Sequence, residues 1–144
     1  CSSDLENDSL SAYTCLLKTG DFFLLDYFAV MEQGRGKGTG SQILGIMKEH
    51  LEDRESVLLE VEEPLAREPE VLDLQKRRIQ FYLRNDVRYT DLKAQVFGVP
   101  YLILNLGREL QGEQAKNAMK ALYHSILSDE MYEKNVRFAL DKHY

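Results

Sequence analysis

One stretch limits what this chain can fold into more than any other. Gly34, Gly36, Gly38 and Gly40 fall at every second position, just after an apolar run from Phe22 to Val30. Beyond them, Ile43, Leu44, Met47 and Leu51 recur at the spacing of one helix face. The pattern reads as a strand, a glycine-rich turn and a helix N-terminus. The first-turn amides of a helix have no partner within the helix, and the helix dipole puts partial positive charge on them. Glycines let a phosphate approach the backbone without a Cβ in the way. The stretch therefore predicts an anion site at the end of a strand.

Spacing narrows the ligand. A P-loop needs Gly-x-x-x-x-Gly-Lys followed by Ser or Thr, but here Met31 holds the first glycine's place and Gly38 follows Lys37. The missing hydroxyl after Lys37 also argues against a magnesium-dependent nucleotide hydrolase. A dinucleotide fingerprint, Gly-x-Gly-x-x-Gly, fails because Thr39, Ser41 or Ile43 takes the last position. What is present is Arg-x-x-Gly-x-Gly, as Arg35-Gly36-Lys37-Gly38-Thr39-Gly40. This resembles the acetyl-CoA-binding motif of the GCN5-related N-acetyltransferase (GNAT) superfamily. In that family the coenzyme A pyrophosphate lies on the amides of this turn, and the pantetheine arm pairs with the strand before it. The resemblance implies cofactor contacts from Phe28, Ala29 and Val30, and from Arg35, Gly36, Lys37, Gly38, Thr39, Gly40 and Ser41. It sets Arg35 beside the pyrophosphate and Lys37 towards solvent.

Composition bounds the rest. A chain of 144 residues, 44% hydrophobic and 29% charged, suits one globular domain with a real core. A net charge of −6 argues against a nucleic-acid partner. The two cysteines, Cys1 and Cys15, lack metal-ligand spacing and fit a reducing, cytoplasmic setting. No apolar run approaches a membrane span. The first residue is Cys1 rather than methionine, from which a missing upstream segment is expected.

In chain order, Ser11–Leu17 reads as a strand, Lys18–Asp21 as a hairpin turn and Phe22–Val30 as its partner. Both faces of that partner are largely apolar, so it is expected in the middle of a sheet, with Asp26 as the exception. A helix over Thr39–Asp53 leads to a strand over Ser56–Glu62, giving a right-handed parallel crossover. A second helix begins near Glu70 and stops at Asn85-Asp86. Two more strands follow, Val87–Gly98 and Val99–Leu106, with Pro100 placed at a strand start, edge or bulge. Glu113–Leu127 is helical, and Ser128 caps a last short helix ending near Leu140. The predicted class is α/β (α+β): a central mixed, mostly antiparallel sheet flanked by helices, with extra C-terminal helices.

The GNAT resemblance extends beyond the glycines. Leu59-Glu60-Val61 is similar to the family's Leu-Glu-Val strand, and Phe81-Tyr82 to the aromatic pair of its next helix. The family's following Gly-Phe is Asp86-Val87 here, which predicts a left-handed Asn85 or Asp86. An asparagine often found before the tyrosine is Gln75 here, the corresponding cofactor contact. The resemblance covers about Tyr13 to Leu106; the family's fold begins with a further strand and two helices. It thus implies an N-terminally incomplete acetyltransferase domain over 11–107 and a helical extension of it over 108–144.

The implied activity is transfer of an acetyl group from acetyl-CoA to a primary amine, on a small molecule or a peptide, by direct attack on the thioester and without metal. Glu60 is the first candidate for the base, then Asp26, then Glu62. Tyr82 is the implied proton donor to the leaving thiolate, and amides near Ala29–Met31 the implied oxyanion donors. Tyr101 either lines the acceptor side or packs on the sheet, while His50, His124 and His143 read as surface residues. Two alternatives stand beside this: a non-catalytic acyl-CoA-binding module, and an interaction protein using its C-terminal helices. Met131, Val136 and Leu140 weakly extend an apolar stripe that would serve packing or a homodimer.

Overall fold

Continuous apolar runs make the central strands of this protein, and helices cover both of their faces. The computed structural model describes residues 12–30 and 39–141. The elements are β1 (Ala12–Thr19), β2 (Phe22–Val30), α1 (Thr39–His50), β3 (Ser56–Glu62), α2 (Pro69–Arg84), β4 (Arg88–Val96), β5 (Val99–Gly107), α3 (Gly112–Ile126), α4 (Asp129–Asn135) and β6 (Val136–Leu140). The strands form one six-stranded sheet in the order β1-β2-β3-β5-β4-β6. β2 and β3 run parallel, as the helical crossover through α1 requires; the other neighbours are antiparallel.

Alternation along the strands divides the core in two. Leu24, Leu58 and Ile103 point to one face, where Ala115, Met119 and Leu122 of α3 cover them. Leu25, Leu59 and Leu104 point to the other, against Leu44 of α1 and Ile79 and Tyr82 of α2. Burying such a side chain contributes about 1.5–3 kcal/mol, so both layers stabilise the sheet substantially.

The turns follow their residues. Asp86 adopts φ 67°, the left-handed conformation expected where the aligned motif has glycine. Phe97 and Gly98, both at positive φ, close the β4–β5 hairpin. Pro100 stands near the start of β5, and its carbonyl accepts from the Glu63 amide at 3.0 Å. Lys93 lies 2.7 Å from Glu63 and 2.9 Å from Asp141, clamping the ends of β3 and β6 to β4.

The C-terminal region corrects the sequence expectation. Ser128 does cap α4, accepting from the Met131 amide at 3.2 Å. That helix ends at Asn135, however, and Val136–Leu140 is a strand rather than helix. The segment after Gly107 is thus not purely helical: β6 pairs antiparallel with β4, from Val96↔Val136 to Leu92↔Leu140, and covers a ladder edge that would otherwise be open. Val136, 3% exposed, belongs to the core and is not part of an outward apolar stripe.

Gly107 ends β5 at φ 103°, and a Cβ there would sit 2.8 Å from the Glu55 carbonyl oxygen. Gly107→Ala should therefore destabilise the protein by about 1–3 kcal/mol. Urea unfolding of the two proteins measures this as a lower midpoint with an unchanged slope.

Candidate functional site: a split between parallel strands

The two parallel strands part midway. β2 pairs with β3 only from Phe22↔Ser56 to Leu25↔Leu59. On its other side, the β1 register shifts between Leu16↔Leu25 and Cys15↔Tyr27, which leaves Asp26 as the extra residue of a β-bulge. Among the described residues, β2 continues from Tyr27 to Val30 along β1 alone. From Glu60 to Glu62, β3 continues along β5, opposite Ile103, Leu102 and Tyr101. Two strand edges that paired below Asp26 therefore no longer pair above it.

Helix α1 follows β2 in the chain and packs Leu44 on the same face as Leu25. Its first turn carries no acidic residue, and its last turn carries Lys48 and His50. This distribution leaves the positive end of the dipole unneutralised from within the helix and complements the negative end. The glycine turn with Arg35, Gly36, Lys37 and Gly38 lies outside the described residues, as do the side chains of Asp26, Phe28, Ala29, Val30 and Thr39. Gly40 is buried, and Ser41 is half-buried.

Two acidic positions follow the last pair of the split. Leu25 opposite Leu59 is the last β2–β3 pair, so Asp26 and Glu60 are the next residues on each strand. The Glu60 side chain turns to the α3 face, where the Tyr123 hydroxyl lies 2.6 Å and 2.7 Å from its two carboxylate oxygens. Glu62 accepts from the Gln75 amide nitrogen at 3.2 Å. The Gln75 carbonyl oxygen accepts from the Ala66 backbone at 3.1 Å, so this side chain ties the loop after β3 to α2.

Tyr82 lies on the opposite face of the sheet from Glu60, 7% exposed among Leu44, Leu59 and Ile79. Its ring meets Phe81 edge-on at 5.3 Å. Burial raises the hydroxyl's pKa above its ordinary value, an effect that the nearby Arg78 charge partly opposes. Tyr82 is therefore held in its protonated form near neutrality.

Other predicted residues sit elsewhere. Tyr101 is half-buried against the α3-face core. His124 is exposed and stacks on Tyr132 at 3.8 Å, and the exposed His50 ring contacts the Ile46 carbonyl at 2.8 Å. Tyr123 is a participant that the sequence reading did not name among the candidate site residues. Its place on the buried face of α3 was the available signal, since a buried tyrosine hydroxyl needs a polar partner. Among the described residues, no group of three or more His, Cys, Asp or Glu is placed to hold a metal ion, and no helix is long and apolar enough to cross a membrane.

No family model and no curated relative matches this sequence. Solved structures do. A protein from Bacteroides thetaiotaomicron assigned to the GNAT-family acetyltransferases superposes with TM-score 0.65 at 23% identity, over 85% of this chain and 69% of its own. The chain has the GNAT fold. The ribosomal-protein-S18-alanine N-acetyltransferase from Escherichia coli gives TM-score 0.54 at 18% identity, over 75% of this chain and 68% of its own. Within this GNAT fold, Leu59-Glu60-Val61 lies on β3 and Phe81-Tyr82 on α2, and the split falls between β2 and β3.

The raised pKa of Tyr82 has a stability consequence. A group whose folded pKa exceeds its unfolded value contributes stability below the unfolded pKa and loses it as pH rises through the folded one. The ordinary value is 10.0, so the loss sets in above that pH. Melting temperatures measured at about pH 9 and about pH 11 should fall more steeply for wild type than for Tyr82→Phe, which has no proton to lose.

Proposed function

We propose that this protein is an acetyl-CoA-dependent N-acetyltransferase acting on a primary amine. The observation that carries the reading is the parting of β2 from β3 at Asp26 within a GNAT fold. A parallel pair that stops pairing leaves a strand edge able to hydrogen-bond an extended, amide-containing arm. The helix that follows supplies an electropositive N-terminus for a pyrophosphate. These are the two recognition elements that coenzyme A needs, and in this chain they come in the order in which the ligand would use them.

Acetyl-CoA brings an activated acetyl group. In this reading the backbone of Phe28, Ala29 and Val30 aligns the arm, while Arg35 and the amides of Gly36 to Ser41 hold the pyrophosphate. Glu60 accepts the proton that the amine loses as its lone pair attacks the thioester carbonyl, with Asp26 and then Glu62 as the next candidate bases. Amides near Ala29–Met31 stabilise the oxyanion. As the C–N bond forms and the C–S bond breaks, the thiolate takes the proton of the Tyr82 hydroxyl. Support for this division of labour comes from the placement of Glu60 and Tyr82 on opposite faces of the sheet. The amine would approach from the α3 side and the thiol would leave towards α1 and α2. A reducing, cytoplasmic setting suits this chemistry.

The test is binding followed by turnover. Acetyl-CoA at a hundred times its dissociation constant should stabilise the folded protein by about 2.7 kcal/mol in a thermal shift, and calorimetry should give one site. Gly38→Glu, which sets a side chain and a negative charge on the phosphate turn, should abolish binding. Tyr82→Phe and Glu60→Gln should retain binding and lower kcat with an amine acceptor about 10²–10⁴-fold. A folded wild type that does not bind acetyl-CoA overturns the proposal. Binding without turnover of any amine supports the non-catalytic module instead.

A further inference from the structure

We propose that Tyr123, on helix α3, is a positioning residue for Glu60: its hydroxyl fixes the carboxylate at the mouth of the strand split and sets the pH range in which that carboxylate can take a proton. The inference rests on the N-acetyltransferase reading for its catalytic consequence, but the contact itself is independent of it. Tyr123 lies 2.6 Å and 2.7 Å from the two Glu60 oxygens, across 63 residues of sequence. Glu60 is the first β3 residue beyond the last pair with β2.

The tyrosine is a rigid arm. It is 7% exposed, packs in the core cluster with Met119 and Leu122, and has the Phe138 ring 6.3 Å away. Helix α3 is itself fixed, starting from a reciprocal cap between Gln111 and Gln114. A tyrosine ring so held has little freedom, so its hydroxyl defines where the carboxylate rests. A hydroxyl also has just one proton to donate, whereas an ionised carboxylate has about four acceptor positions. Tyr123 therefore orients Glu60 through a single donated proton.

The electrostatic balance gives the contact its effect. On β2 the adjacent register position holds Asp26; two residues along β3 stands Glu62; Tyr101 lies opposite Glu62 on β5. On α3, Lys116 lies two turns before Tyr123, and Lys120 and His124 occupy exposed positions. On β6, Arg137 contacts the carbonyls of Glu133 and Val136. Neighbouring carboxylates favour the protonated form of Glu60, and a donated hydrogen bond favours the ionised form. In this proposal the hydrogen bond from Tyr123 is what favours the ionised carboxylate of Glu60.

Tyr123→Phe removes the donor and keeps the ring. In the ligand-free protein, ¹³C NMR titration of the Glu60 side chain, assigned with Glu60→Gln, should show the midpoint moving up by about one pH unit. The acidic limb of kcat/KM should move with it, while acetyl-CoA affinity stays unchanged. An unmoved Glu60 midpoint overturns the proposal. So does a midpoint that moves while the acidic limb stays, because the carboxylate positioned is then not the base. If wild type fails to bind acetyl-CoA, the enzyme reading falls, yet the NMR titration still decides the contact. Should Tyr123→Phe not fold, the reciprocal measurement replaces it. The alkaline midpoint of Tyr123 followed at its ring ¹³Cζ should fall in Glu60→Gln, and an unchanged midpoint overturns the proposal.

Discussion

A single extra residue in β2 decides the shape of the candidate site. A strand pair stays hydrogen-bonded while its registers match, and a bulge breaks the match and bends the strand. Here Asp26 is that residue, and the β2–β3 ladder ends one position before it. The candidate site is organised by that break: β2 parts from β3, an acidic position comes next on each strand, and the chain of β2 leads on to α1.

The sheet supplies the second constraint. Because side chains alternate, β3 sends Leu59 towards α1 and α2 and sends Leu58 and Glu60 towards α3. The same alternation buries both faces and separates Glu60 from Tyr82 across the sheet. Neither helical layer alone could hold both groups. Helix α3, which the sequence places outside the recognised signatures, thereby sets Tyr123 against Glu60, and β6 covers the edge of β4.

Much of this was legible in the chain because it is local. The helical spacing of Ile43, Leu44, Met47 and Leu51, the apolar run of β2 and the proline-marked start of β5 each follow from a few neighbouring residues. The left-handed turn at Asp86 was also readable from one position. What depends on pairing was not. Asp26 stood out as a carboxylate on an apolar strand, but its role as a bulge requires the β1 register. Val136–Leu140 is too short for a two-residue period to be told from a helical one, and its strand state comes from the open edge of β4. Glu60 and Tyr123 are 63 residues apart, and no spacing rule links them. Gln75 spans Glu62 and Ala66, a link that no local spacing gives.

The central claim is that the edge of β2 above Asp26 receives the extended arm of acetyl-CoA. Amide hydrogen exchange with and without saturating acetyl-CoA tests it most directly. The account predicts slower exchange at the amides between Tyr27 and Val30 that point away from β1, as a bound arm takes up their hydrogen bonds. Saturated binding that leaves those amides exchanging at the ligand-free rate would contradict it.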